Sequence, residues 1–461
     1  MLDHPFSVLS RWMKNLELNK LSLINVKQAL GGDDEELKRL ILVYHASEIA
    51  LLFESLTQES RERMISLLPI ELASEVISEM DAELHPEKLL ESLQPARRSE
   101  IIEELDYDDA TDIIGQLPER QQKEMLNELN EKDASSIRNL LSYAEDTAGG
   151  LMNTQVIKIS GNLVKKEAFD EIVRQSEEME EFYTIHVVDD DTVLIGMMSF
   201  KDMIKAPADI KIKELVKPDF IYVTVDTDQE EVAKLISQYN LTSIPVVDDQ
   251  MHLLGRITFD DVIDVMEEES TEDILKIAGV SEDEELSGNW QEAVKSRLPW
   301  LVLNLGTAFL AASVIRSFPT IQDEVPVLAA YMIIIAGMGG NAGTQALAVT
   351  IRRISLASLT EKQSCQTIFK ELRVGLVNGL ANGLILFLVA LVYDRNLMLG
   401  LVIFMAMVGN MLIAGVMGSG IPLLLKRIGV DPAIASSIIM TTFTDTFGFL
   451  VLLGLGNKLL L

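Results

Sequence analysis

Three hydrophobic patterns follow one another along the 461 residues. From about 37 to 143, apolar positions recur at helical spacing, with Pro or Asp at the breaks and no strand-like alternation. Between 146 and 266, short β-branched runs alternate with helical stretches. Beyond 297 come five runs almost without charge: 298–315, 325–351, 374–393, 396–425 and 432–457. Each is long enough to span a bilayer, for which about 20 apolar residues suffice. The expected architecture is a multidomain membrane protein. A lead segment (1–36) and an all-α helical superhelix (37–143) precede two α/β units (144–209 and 210–266). A linking helix (267–296) and a five-helix all-α transmembrane domain (297–461) follow.

The helical part carries a weak repeat. Ala46-Ser47-Glu48-Ile49, Ala73-Ser74-Glu75-Val76, Arg98-Ser99-Glu100-Ile101 and Gln122-Lys123-Glu124-Met125 recur at spacings of 27, 25 and 24 residues. Short helices at such a period stack so that each repeat covers its neighbour's apolar face.

The α/β part is a duplication. Val156-Ile157-Lys158-Ile159 matches Phe220-Ile221-Tyr222-Val223 at an offset of 64. Ile185-His186-Val187-Val188-Asp189 matches Ile244-Pro245-Val246-Val247-Asp248 at 59, as Gly196 to Asp202 matches Gly255 to Asp261. The first unit thus carries five extra residues, expected around Glu177 to Glu181. A doubled unit ending in Gly-x-apolar-Ser/Thr-x-x-Asp resembles a pair of CBS domains. The resemblance implies a regulatory module that binds ATP or another adenine nucleotide. Ser199 and Asp202, or Thr258 and Asp261, would meet the ribose. The competing reading is that these residues only cap a helix.

Charge divides the chain differently. The net charge is −32, yet the mean hydropathy is positive, +0.21. From Arg297 onward there are 11 basic and 7 acidic residues, a net of +4; the preceding residues hold 28 basic and 64 acidic, a net of −36. One half belongs to a bilayer and the other is an acidic soluble part. That acidity excludes nucleic acid, which needs a basic surface, and suits either cations or plain solubility. The single cysteine, Cys365, leaves no disulfide framework. The first 30 residues lack a basic stretch followed by an apolar one, so no cleavable signal is expected.

Two acidic stretches stand out. Asp106, Asp108, Asp109 and Asp112 crowd one turn-and-a-half, either as a helix start favoured by the macrodipole or as a cation site. Asp261, Asp264, Glu268 and Glu272 fall on one helical face, with Glu267, Glu269 and Asp273 adding charge. Like charges at these spacings destabilise a helix unless compensated. A hard divalent ion such as Mg2+ or Ca2+ is one compensator, and solvation is the alternative.

Loop charge orients the spans. Arg352, Arg353, Lys362, Lys370 and Arg373 lie between spans two and three, and Lys426 and Arg427 between four and five; the opposite loops offer Arg316 and Arg395. The acidic half is therefore expected in the cytoplasm and the C-terminus outside. Within the spans, Asn341, Asn378, Asn382, Asn410 and Ser419 read as helix–helix contacts. Asp445 differs. It is the only ionisable residue of 432–457, near the middle, without a basic residue at its depth. An acid there costs roughly 2.5–3.5 kcal/mol on insertion and usually faces a pore or a partner.

Pro326 with Gly339-Gly340-Asn341-Ala342-Gly343-Thr344-Gln345, then Gly429-Val430-Asp431-Pro432-Ala433, then Thr441 to Phe449 around Asp445 complete a pattern. Together with the domain order it resembles the MgtE-type magnesium channels and transporters. The resemblance implies a homodimer in the plasma membrane that imports Mg2+ through an axial pore, with cytosolic domains that sense Mg2+. Asp445 would be the pore acid, with Asn341, Thr441 and Thr444 lining the pathway. The sensing carboxylates would be Glu75, Asp108, Asp112, Asp228, Glu230, Asp261, Asp264, Glu269, Glu272 and Asp273, and Asp431 would join the linking helix to the pore. A family acid after the tyrosine of the second unit is Asn240 here, which weakens one sensor site. Rival readings are a proton- or Na+-coupled divalent cation transporter, a CBS-regulated anion channel, and a nucleotide-gated membrane enzyme. An enzyme is disfavoured, because none of His4, His45, His85, His186 and His252 forms a ligand pair in sequence.

Overall fold

The computed structural model describes residues 26–461 apart from 177–181, 183, 218, 282–289, 357–358 and 435. The five extra residues expected near Glu177 to Glu181 lie outside the described residues. Two compact units are present, Met1–Val265 and Met266–Leu461.

Among the described residues, helical residues 26–29 are followed in the first unit by nine short helices: α1 (Asp34–Ile41), α2 (Ala46–Phe53), α3 (Gln58–Leu67), α4 (Ile70–Ser78), α5 (Pro86–Ser92), α6 (Pro95–Glu104), α7 (Tyr107–Gly115), α8 (Glu119–Leu126) and α9 (Glu131–Leu140). Pro at the first turn of α5 and α6 sets helix starts where a missing N–H costs nothing. Most helices pack on the next but one, α1 on α3, α2 on α4, α3 on α5, α4 on α6, α5 on α7 and α7 on α9, while α8 packs on its neighbour α7. This alternation builds the superhelix expected from the repeat. Its core includes Val26 and Ala29, upstream of the expected start at 37.

Two three-stranded sheets follow: β1 (Lys158–Ser160), β2 (Thr184–Val188) and β3 (Leu194–Ser199), then β4 (Val223–Thr224), β5 (Ser243–Val247) and β6 (Leu253–Thr258). In each, the first strand pairs parallel and the third antiparallel with the second, with an irregularity after Val187 and after Val246. Helices α10 (Lys165–Ser176), α11 (Phe200–Lys205) and α12 (Gln229–Tyr239) accompany them, and α13 (Phe259–Ala278) leaves β6. The two units exchange leading segments: Asn153 bridges to Arg256 of β6, and Lys217 to Met197 of β3. Asn153 and Lys217 are 64 apart whereas the strands they meet are 59 apart, so the shift in repeat offset separates exchanged segment from body. Gly255 admits this crossing, because a Cβ there would lie 2.7 Å from the Asn153 carbonyl.

The helical array and the second α/β unit share one hydrophobic core, running through Ala148 and Met152 to Ile236, Ile257, Val262 and Val265; the first unit keeps its own around Ile157, Ile185 and Met198. The expected linking helix over 267–296 is not one helix. It starts within the second α/β unit at Phe259 and stops at Ala278. Gly279 then takes φ 76, and the N–H of Val280 returns to the Leu275 carbonyl, the usual glycine helix stop.

Among its described residues the second unit contains five helices long and apolar enough to cross a membrane: α14 (Trp290–Arg316), α16 (Leu328–Leu356), α17 (Glu361–Tyr393), α18 (Leu397–Arg427) and α19 (Ser436–Leu459), with the short α15 (Pro319–Glu324) between the first two. Five spans were expected and five are found, several longer than their apolar runs; α17 starts at a Thr360–Gln363 capping box. Helix α18 is the hub, packing on α16, α17 and α19. Its contact with α17 rests on Gly375, Gly379 and Gly383, whose bare faces meet Met411, Val408 and Phe404.

Candidate ion pathway and cation-sensing carboxylates

Helix α19 positions Asp445 half-buried, and among the described residues it has neither a salt bridge nor a hydrogen-bond partner. Helix α16 packs against α19. Gly343 of α16 faces Met440, while Asn341, Thr344 and Gln345 are exposed on the outer side of the chain. An exposed polar face at membrane depth needs water or another polypeptide. Thr441 is half-buried with its hydroxyl on the Ser437 carbonyl. Thr444, expected to line the pathway, is instead fully buried and donates to the Thr441 carbonyl. A one-residue step along a helix turns a side chain by about 100°, so neighbours of Asp445 need not share its face.

At the charged end of the bundle, the last turns of α13 dock onto α16 and the approach to α19. Ile277 packs with Leu347, Ile351 and Ala433. Ser355 donates to Asp273 at 3.0 Å. Lys276 Nζ meets Asp431 at 2.8 Å and also Glu272. Asp431 in turn accepts the Ala433 N–H at 2.8 Å. Burial raises the pKa of Asp273, and the charge of Asp431 adds to this against the Ser355 hydroxyl and Arg352. Lys276 thus supplies part of the compensation that the acidic helix lacked in sequence.

In the first unit, the start of α7 and the start of α13 bring their aspartates together. Burial, then the charges of Asp109, Asp261, Asp106 and Asp112, push Asp108 well above the usual carboxylate range. Burial, then the charges of Asp106, Asp261, Asp112 and Asp260, raise Asp109 to about 7. Asp261 rises to about 6, again chiefly through burial, although Thr258 N–H and hydroxyl bonds oppose it. Asp106 is raised by burial, with Arg256 and Asn153 opposing. The Asn153 amide donates to Asp108 at 3.1 Å. Asn153, Arg256 and Lys276 are not among the residues expected from sequence; Arg256 and Lys276 are isolated basic residues near acidic runs, whereas Asn153 carries no such signal.

The remaining candidates are scattered. Glu75 is exposed on α4. Asp228 caps α12 by accepting the Glu230 N–H at 2.9 Å. Asp112 and Asp264 are exposed, and Glu230 and Glu269 half-buried. Asn240 closes α12 in the left-handed region at φ 52, a place that favours Asn. Among the described residues, no three His, Cys, Asp or Glu side chains converge closely enough to hold one ion. At the two nucleotide motifs, Ser199 bonds to Asp202 at 2.8 Å and Thr258 to Asp261 at 2.7 Å, so both pairs cap their helices.

Comparison with known proteins covers the same segments. A family model for a divalent cation transporter matches residues 332–455, one for the MgtE intracellular N domain matches 44–146, and one for a CBS domain matches 212–268. The magnesium transporter MgtE of Enterococcus faecalis is 38% identical, over 98% of this chain and 96% of its own. That of Thermus thermophilus is 33% identical, over 95% and 98%. Among solved structures, the cytosolic domain of the Mg2+ channel MgtE in complex with ATP is 32% identical with a TM-score of 0.51, covering 53% of this chain and 99% of its own. The soluble part of a magnesium transporter gives 28% and 0.50, over 55% and 99%.

Proposed function

This chain belongs to the MgtE family and is a membrane transporter of Mg2+, and we propose that it is a channel in which Asp445 selects the ion while the acidic soluble half decides when it passes. The observation carrying the reading is Asp445 itself, a carboxylate in mid-span without a partner among the described residues, on a helix that packs against α16. Mg2+ dehydrates reluctantly and keeps an octahedral shell, so few protein oxygens suffice to recognise the hydrated ion. A homodimer with two Asp445 side chains at its axis would supply that recognition; Asn341 and Thr344 lie on the exposed face of the neighbouring helix, and Thr441 on the helix of the acid. The membrane potential, about 2.3 kcal/mol per charge per 100 mV, acts twice on a divalent ion and draws it inward.

Closure is by feedback in this reading. Cytosolic Mg2+ bridges the crowded carboxylates, among them Asp108 and Asp261, and with them the more exposed Asp112 and Asp264 and Glu75, Asp228, Glu230, Glu269, Glu272 and Asp273. It thereby holds α13 where Lys276 and Asp431 tie it to the pore helices. In this reading the soluble half lies in the cytoplasm and the C-terminus outside the plasma membrane, which the loop charges support. An adenine nucleotide at the CBS pair, released from or added to the Ser199–Asp202 and Thr258–Asp261 caps, tunes the threshold. The ATP complex of the related cytosolic domain supports this. No catalytic chemistry belongs to the reading.

Mg2+ uptake in Mg2+-starved cells tests it. Wild type should rescue growth, and Asp445→Ala, inserted at normal levels, should not. Equal rescue by both would remove the pore role.

A further inference from the structure

Asn410 is fully buried at the middle of α18, the hub of the bundle. Its Nδ2 donates to the Ile335 carbonyl of α16 at 2.8 Å. Its Oδ1 is buried and has no hydrogen-bond partner among the described residues. Two glycines pinch the amide. A Cβ on Gly339 would lie 2.2 Å from Nδ2, and a Cβ on Gly448 would lie 3.0 Å from Cγ. Gly339 is one turn beyond Ile335 on α16, and Gly448 is one turn beyond Asp445 on α19.

We infer that Asn410 is a positioning residue for Asp445: wedged between the Gly339–Gln345 motif of α16 and the Asp445 motif of α19, it fixes the acid against the polar face of α16. This role rests on Asp445 being the pore acid. Gly339 leaves room for an amide to reach a helix carbonyl that is already used within the helix. Gly448 lets α19 lie against the same amide. Inside hydrocarbon such a bond is not readily exchanged for water, so it sets the helix register more firmly than apolar packing does. Neither glycine then serves the ion directly; both serve the asparagine. A carboxylate that must meet a hydrated ion within a fraction of an ångström depends on such support.

The test is Mg2+ uptake by the full-length protein in proteoliposomes, with Co2+ as competitor. Asn410→Ala should keep the maximal rate but raise the half-saturating Mg2+ concentration about threefold to tenfold and narrow discrimination against Co2+. Gly339→Ala should lose about tenfold or more in uptake, and the double variant should return to the level of Asn410→Ala, because the methyl takes space the amide vacates. Wild-type half-saturation and selectivity in Asn410→Ala, or additive losses in the double variant, would overturn the inference. If Asn410→Ala fails to insert, Gly448→Ala presses on the same amide and should shift half-saturation and selectivity alike; unchanged values there would overturn it too. Asp445→Asn is measured in parallel. If it transports as wild type does, the pore reading itself fails, whereas an inactive Asp445→Asn beside an unaffected Asn410→Ala removes the positioning role alone.

Discussion

At the scale of single residues, the aspartates at the start of α7 and α13 crowd like charges in a buried place, and protonation relieves the conflict. Asp109 is raised to about 7 and Asp261 to about 6, above the ordinary carboxylate value near 4. Between about pH 4 and 7 the folded state therefore binds more protons there than the unfolded chain does, and stability falls as pH rises through that window. Thermal unfolding of residues 26–265 without divalent ions should give a higher midpoint near pH ~5 than near pH ~7.5. Millimolar Mg2+ should flatten the difference, and so should Asp109→Asn. A midpoint that rises with pH would contradict the assignment. The six acids at 106, 108, 109, 112, 260 and 261 were visible as two runs in sequence. That the runs face each other was not, because nothing in a run of like charges names its opposite number 150 residues away.

At the scale of elements, two devices hold the helices in contact. The first is Lys276, the cation between Glu272 and Asp431. Lys276→Gln and Asp431→Asn should each loosen the end of α13 and leave uptake less inhibited by high Mg2+. The double variant should be no worse than either single, since both remove one bond. Additive effects in concentration–response curves would place the two residues in separate roles. The second is the glycine stripe of α17. A Cβ on Gly379 would lie 2.9 Å from the Val408 backbone, whereas Gly454 has nothing within 4 Å. Gly379→Ala should lower the melting temperature in detergent, at an overpacking cost of about 1–3 kcal/mol, while Gly454→Ala should not. The linking helix teaches a related lesson. Its acidic face was legible, but its end depended on Gly279, which only the backbone angle distinguishes from a glycine tolerated inside a helix.

For the whole molecule, charge and hydropathy point to the same division of labour. A soluble part at −36 repels itself, and screening at physiological salt leaves interactions within about 8 Å. In the proposed feedback, divalent ions bridging carboxylates do what screening cannot. Protease cleavage of the intact protein should slow as Mg2+ rises through the millimolar range, and NaCl of equal ionic strength should not reproduce the protection. An unchanged cleavage rate would remove Mg2+ feedback from the reading, leaving the transport activity of the family untouched.

The sequence by itself determined what periodicity and composition control. Apolar run length specified five spans, the 25-residue repeat specified the superhelix, and the duplicated strand motifs specified two like α/β units, since burial of apolar faces leaves little choice in each. It also singled out Asp445, because one charge in a long apolar run is conspicuous without any coordinates. Tertiary structure alone decided which faces met. It turned Thr444 inward, closed the Ser199 and Thr258 motifs into caps, and joined the helical array to the second α/β unit in one core. It also placed Asn410 between two glycines that the sequence separates by more than a hundred residues. These outcomes depend on helix rotation and long-range packing, where a shift of one residue turns a side chain by about 100° and leaves the hydrophobic pattern almost unchanged.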